Sequence, residues 1–152
     1  MKKAVIVFAL LGAVGTAFAQ QAAKPEDLIK ARKAGMTFQA WNMGQIKANL
    51  DGDYNQEQVI AAANVVAANV NSGLFTKLFA PGTEKDVAGE KTRVKPEFFE
   101  QPDEVRELAL AMAREGKELA IVAVTGDAAA VKTQFGITGK ACKNCHDKFR
   151  ND

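Results

Sequence analysis

Apolar residues return every three or four positions along four stretches of the chain, and turn-forming residues fill the intervals, so the pattern predicts helices rather than strands. The first predicted helix covers about residues 25 to 50. Pro25 suits a first turn, Glu26 and Asp27 complement a helix N-terminus, and Ile29, Met36, Ala40, Met43, Ile46 and Leu50 recur as one apolar stripe. Asp51, Gly52 and Asp53 end it. The second, about residues 55 to 78, is rich in Ala and Val, and its small residues Ala61, Ala62, Ala63, Ala67 and Ala68 predict a closely approaching neighbour. The third, about 102 to 124, lines up Val105, Leu108, Met112, Leu119 and Val122; the fourth, 127 to 150, lines up Val131, Phe135, Thr138, Cys142, Cys145 and Phe149 behind a capping Asp127.

Four helices of similar length with short first and third connections predict an all-α fold, an antiparallel up-down four-helix bundle. The middle connection differs. Residues 79 to 101 carry Pro81, Gly82, Gly89 and Pro96 among scattered charges, which predicts a long irregular crossing over one side of the bundle.

The chain opens with Lys2 and Lys3, an apolar run from Ala4 to Val14, and the small-residue tripeptide Ala17-Phe18-Ala19. This is the pattern of a secretory signal, so residues 1 to 19 are expected to be cleaved and residues 20 to 152 to form one exported domain. The apolar run is shorter than the ~20 residues a membrane span needs. The whole chain carries 20 basic and 18 acidic residues, and loss of Lys2 and Lys3 balances them. No electrostatic footprint for a nucleic acid or an anionic membrane remains.

Candidate chemistry concentrates in one place. The chain has two cysteines and one histidine, and all three lie in Cys142-Lys143-Asn144-Cys145-His146. This C-x-x-C-H spacing is that of c-type haem attachment. Three residues on a helix bring both thiols to one side, where each can form a thioether with a haem vinyl group, while the next residue's imidazole reaches the iron. A thioredoxin-like pair would sit at a helix N-terminus after a strand, a zinc site would need a fourth ligand, and a disulfide over so short a loop would strain the helix. The expectation is one covalently bound haem c per chain, held by Cys142 and Cys145, with His146 as axial iron ligand.

With the single histidine used, bis-histidine ligation is excluded. A sixth ligand could come only from Met36, Met43 or Met112, or be absent. The first helix is the expected distal wall, because Arg32 and Met36 lie four apart and Ala40 and Met43 continue their face. A pocket walled by Met36, Ala40 and Phe79 would be dry and poor in hydrogen-bond donors, which favours carbon monoxide and nitric oxide over dioxygen. Arg32 is placed to pair with a propionate, and Arg150, four residues after His146, to flank the proximal side. No general acid or base outside the metal site suggests an enzyme.

Beyond the haem motif, the chain resembles the class II c-type cytochromes called cytochrome c′. The carriers are Lys24-Pro25-Glu26-Asp27, Arg32 followed by Met36, the run Ala40 to Ala48 with Trp41-Asn42-Met43-Gly44, Ala61 to Val65, Asn71-Ser72-Gly73, Lys95 to Phe99, and the C-terminal motif with Arg150. The resemblance spans the mature chain. It implies a periplasmic homodimer joined through the first two helices, a five-coordinate high-spin haem with a crowded distal face, reversible binding of nitric oxide and carbon monoxide, and a part in electron transfer with an unidentified redox partner. It assigns the propionate role to Arg32, the distal position to Met36, the basic residue beside the proximal histidine to Arg150, and haem-edge positions to Lys33 and Arg93. The related cytochromes c-556 imply the alternative, a low-spin electron carrier with Met36 on the iron.

Overall fold

The computed structural model describes residues 23–151 of the chain, so the expected signal at residues 1 to 19 lies outside the described residues. Its elements are α1 (Pro25–Asp51), α2 (Gln56–Asn71), α3 (Leu74–Lys77), α4 (Glu97–Glu100), α5 (Pro102–Ala123) and α6 (Ala128–Phe149). Local signals in the sequence set the ends. Pro25 opens α1 with Glu26 and Asp27 in its first turn. The Asn55 side chain accepts from Gln58 N at 3.0 Å to cap α2, and Asp127 accepts from Ala129 N and Ala130 N to cap α6.

The long helices α1, α2, α5 and α6 form the four-helix bundle. Three neighbouring pairs pack extensively, α1 with α2, α2 with α5 and α5 with α6, whereas α1 and α6 meet only sparsely. The main core is displaced towards one end, where Ile46, Val59, Ala63, Val66, Leu119, Ala123 and Val131 are fully buried together. A smaller cluster of Val70, Met112 and Ala141, with Phe75 and Cys142 packed on it, serves the other end. Gly116 lets α5 settle onto α2: a Cβ there would stand 2.9 Å from Val70 Cγ2.

Three expectations from the sequence are corrected. The helix expected over 55 to 78 breaks at Ser72 and Gly73, because Gly73 takes φ +82°, a left-handed turn that costs glycine little. The chain then folds back so that Leu74 packs on Gly35 of α1. On α1, Ala40 is exposed, and the buried face includes Arg32, Gln39, Asn42 and Asn49 alongside Ile29 and Ile46. The two asparagines are tolerated inside because they find backbone partners: Asn42 Nδ2 donates to Phe38 O at 2.8 Å, and Asn49 bonds both Gln45 O and Asn55 N at 3.0 Å, tying α1 to the start of α2. On α2, Ala61 and Ala68 face solvent, while Ala62 and Ala63 make the close approach.

The crossing from 79 to 101 joins the two helices that scarcely touch. At one end Arg32 of α1 holds Thr83 and Thr92; at the other, Lys95 N donates to Phe149 O at 2.9 Å and Asn151 N to Arg93 O at 2.7 Å, so residues 93 to 95 pair with the chain leaving α6. Between them Phe79 stacks on Phe75 and Phe98, with ring centroids 5.9 and 4.4 Å apart, and Phe98 meets Phe149 edge-on.

Candidate haem site

The last turns of α6 carry Cys142, Cys145 and His146 at the end of the bundle away from the main core. Both cysteines are free and half-buried. Burial pushes the Cys142 thiol above its ordinary value, and burial together with the neighbouring Cys142 pushes Cys145 up to about 11. Both are therefore thiols at neutral pH, unlike the thiolate of a redox-active pair. Partial burial, and then the positive charge of Arg93, lower the pKa of His146 against a smaller opposing pull from Asp147, so its imidazole is neutral, the form that binds a metal. Among the described residues no three His, Cys, Asp or Glu side chains converge as a metal cage requires, so the trio is not arranged as a zinc site.

His146 lines a cleft of about 780 Å³ with Cys142, Lys95, Lys143, Asp147 and Arg150. Arg150 arrives there by a different route from the one its spacing suggests. The helix ends at Phe149, and Arg150 is extended (φ −121°, ψ 132°), opposite Val94, while its N still donates to His146 O at 3.0 Å. The same pairing brings Arg93 within electrostatic reach of His146.

On α1, Arg32 is 4 % exposed and its guanidinium is already engaged. Nη1 donates to Thr83 Oγ1 at 2.8 Å and makes a long 3.5 Å contact to Leu78 O; Nη2 donates to Thr83 O at 2.7 Å and to Thr92 Oγ1; and the ring of Phe79 lies 4.7 Å from its carbon. All four Nη hydrogens are used within the chain, leaving Nε–H for any further acceptor. Burial lowers its pKa, without threatening the charge of so strong a base. Lys33 is exposed and paired with Glu90 at 3.0 Å.

Of the three methionines, Met43 packs on the main core and Met112 fills the smaller cluster. Met36 stands half-buried one turn after Arg32. Ala40 of the expected distal wall is exposed, while Phe79 is held in the aromatic stack. Helical spacing gives no sign of Thr83 and Thr92, polar turn residues whose partner lies 51 and 60 residues away, nor of the buried amide of Gln39 on α1.

The donor set fits a covalently attached haem: two protonated thiols on one helix side, a neutral imidazole beside them, and a loosely closed α1/α6 seam. Residues 27–150 match the family model of cytochrome c′. The chain belongs to the cytochrome c′ family. It is 55 % identical over 126 residues to the cytochrome c′ of Allochromatium vinosum (83 % of this chain, 81 % of that one) and 52 % identical over 129 residues to that of Rhodocyclus tenuis (84 % and 96 %). The solved cytochrome c′ of Thermochromatium tepidum superposes with a TM-score of 0.84 at 52 % identity, covering 86 % of this chain and 99 % of that one. A further solved cytochrome c′, characterised by an unusual ligand-controlled dimer dissociation, gives 0.84 at 53 % identity over 86 % and 98 %. Like other cytochromes c′, the protein is a haem protein whose cofactor is covalently bound haem c.

Proposed function

We propose that this cytochrome c′ is a periplasmic protein whose single haem, attached through Cys142 and Cys145, has His146 as its one axial protein ligand, binds nitric oxide and carbon monoxide, and takes part in electron transfer. The observation that carries the reading is the combination of one histidine in the whole chain with a distal helix that offers no other strong ligand. The haem supplies the redox change and the gas-binding position. The chain's own residues do the rest: two thiols fix the group, a neutral imidazole holds one face, Arg93 and Arg150 set a positive field on that side, and Met36 crowds the other. Arg32, with Nε–H to spare, and Lys33, once released from Glu90, are the candidate propionate and edge contacts.

Absorption spectroscopy tests this. The expected result is a broad high-spin spectrum in both oxidation states, with rapid carbon monoxide uptake by the reduced protein. A sharp low-spin spectrum indifferent to carbon monoxide would favour the second reading, an electron carrier with Met36 as sixth ligand, for which the half-buried thioether on α1 speaks. Converting Met36→Ala would then restore gas binding.

The outer face of α1 supports a homodimer through α1 and α2. Phe38 and Trp41 are 53 % and 57 % exposed and stack with centroids 6.1 Å apart, and the exposed Ala34, Ala48, Ala61 and Ala68 extend the apolar surface. Trp41→Lys should give a monomer in sedimentation velocity while keeping the haem spectrum. For export, the mature N-terminus should be Gln20 by mass. Among the described residues no helix is long and apolar enough to cross a membrane.

A further inference from the structure

Residues 93–95 of the crossing lie antiparallel to the chain leaving α6. Asn151 N donates to Arg93 O at 2.7 Å, Lys95 N donates to Phe149 O at 2.9 Å, and Val94 stands opposite Arg150, whose own N donates to His146 O at 3.0 Å. Backbone bonds therefore fix where Arg93 stands relative to His146, although the two lie far apart in sequence.

The charge that this pairing delivers is not cancelled on arrival. Lys143 is paired with Asp147 and Lys148 with Glu104, whereas Arg93 is exposed and has no ion pair among the described residues. At the His146 ring the positive charge of Arg93 is felt more strongly than the opposing charge of Asp147. Lys95 and Arg150 line the cleft beside His146 and add to the positive side.

Resting on the reading of His146 as axial ligand, we propose that Arg93 raises the reduction potential of the haem, acting by its field on the iron that His146 holds, and that pairing of the crossing with the end of α6 keeps it in range. Ferric haem carries one more positive charge than ferrous haem, so a fixed cation nearby disfavours the oxidised form and eases uptake of an electron from an outside donor. An arginine suits the task because its charge persists at every working pH. Arg93 is a positioning residue for charge and contributes no bond to the iron.

Spectroelectrochemical titration of the haem-bearing protein tests this. Arg93→Gln should raise the ferric-to-ferrous ratio at a fixed potential roughly 2- to 5-fold, a fall in midpoint of about 20–40 mV at the ~59 mV per decade of a one-electron couple. Arg93→Lys should restore most of the difference. Raising ionic strength from about 0.01 M to about 1 M should shrink it, because the screening length falls from ~30 Å to ~3 Å. Lys132→Gln, about four turns earlier on α6 and so roughly 21 Å along its axis, should leave the midpoint where it is. The melting temperature of Arg93→Gln should match that of the wild type, since an exposed side chain without a partner is lost. If the wild type titrates as a one-electron couple and Arg93→Gln leaves its midpoint in place, the inference is overturned. A difference that lysine does not restore, or that added salt leaves intact, marks a bonded, structural arginine and overturns it equally. If the purified protein gives no such couple, or its spectrum shows no histidine on the iron, the axial-ligand reading falls and this inference with it.

Discussion

Replacing Arg32 with methionine keeps an unbranched stem of similar volume and removes the guanidinium that ties α1 to the crossing. Thr83 is fully buried, and Thr83 O would lose a donor at 2.7 Å with no water able to reach it; Thr83 Oγ1 would keep only its own bond to Ala80 O. Hydrogen bonds to a charged group contribute about 1.5–3 kcal/mol, a desolvated cation over an aromatic ring up to about 2, and neither adds fully to the other. Removing a buried charged group costs less than the sum, since its own desolvation is relieved. The expected loss is about 3 kcal/mol, which for a domain of this size lowers the melting temperature by roughly 10 °C. The assay is denaturant unfolding of the haem-bearing protein followed by helical circular dichroism, with Thr92→Val and the double variant completing a cycle. Arg32 and Thr92 should couple by about 1 kcal/mol or more. A loss below about 1 kcal/mol for Arg32→Met, or strict additivity with Thr92→Val, would refute the view that this guanidinium fastens the crossing.

Gly116→Ala should destabilise the protein by about 1 kcal/mol in thermal unfolding, since the new methyl meets the stiff Val70 side chain at 2.9 Å and the overpacking outweighs the gain in helix propensity. Gly136→Ala, where a Cβ meets nothing within 4 Å, should stabilise by about 0.5–1 kcal/mol in the same measurement. Leu119→Ala, at the centre of the main core, should cost about 2–5 kcal/mol in denaturant unfolding. The bond from Gln134, and then Arg114, holds the Glu115 carboxyl below its ordinary 4.5. A group depressed on folding stabilises above its unfolded pKa and loses that contribution as pH falls through the folded one, so Gln134→Leu should flatten the fall in stability below about pH 4.5 in acid titrations followed by circular dichroism.

The helix ends were legible because they depend on residues close in sequence. Pro25 and Asp127 act on backbone groups within one turn, and the structure uses both as the sequence predicts; Asn55 caps α2 in the same local way. The haem attachment motif was legible for the same reason: both thiols and the imidazole fall within five consecutive residues, and a helix brings them together whatever surrounds it. The break at Gly73 was not, since glycine is tolerated inside helices, and what decides the matter is the return of Leu74 onto Gly35 from the next element.

The buried face of α1 shows the limit most clearly. Hydrophobic spacing marked Ala40 as interior and passed over Gln39, Asn42 and Asn49, because periodicity counts apolar residues and cannot see a partner that satisfies a polar one. Arg32 was singled out as a propionate contact, but the internal acceptors that engage it, Leu78 O, Thr83 and Thr92, lie some fifty to sixty residues later in the chain. The sequence by itself determined the all-α class, the helix boundaries set by local caps, and the place of the haem-attachment motif on α6. The tertiary structure alone decided where polar side chains are buried, which cation still has a donor to offer, and that α1 and α6, which scarcely touch, are joined through the crossing, because each of these depends on groups meeting across distances along the chain that no local pattern encodes.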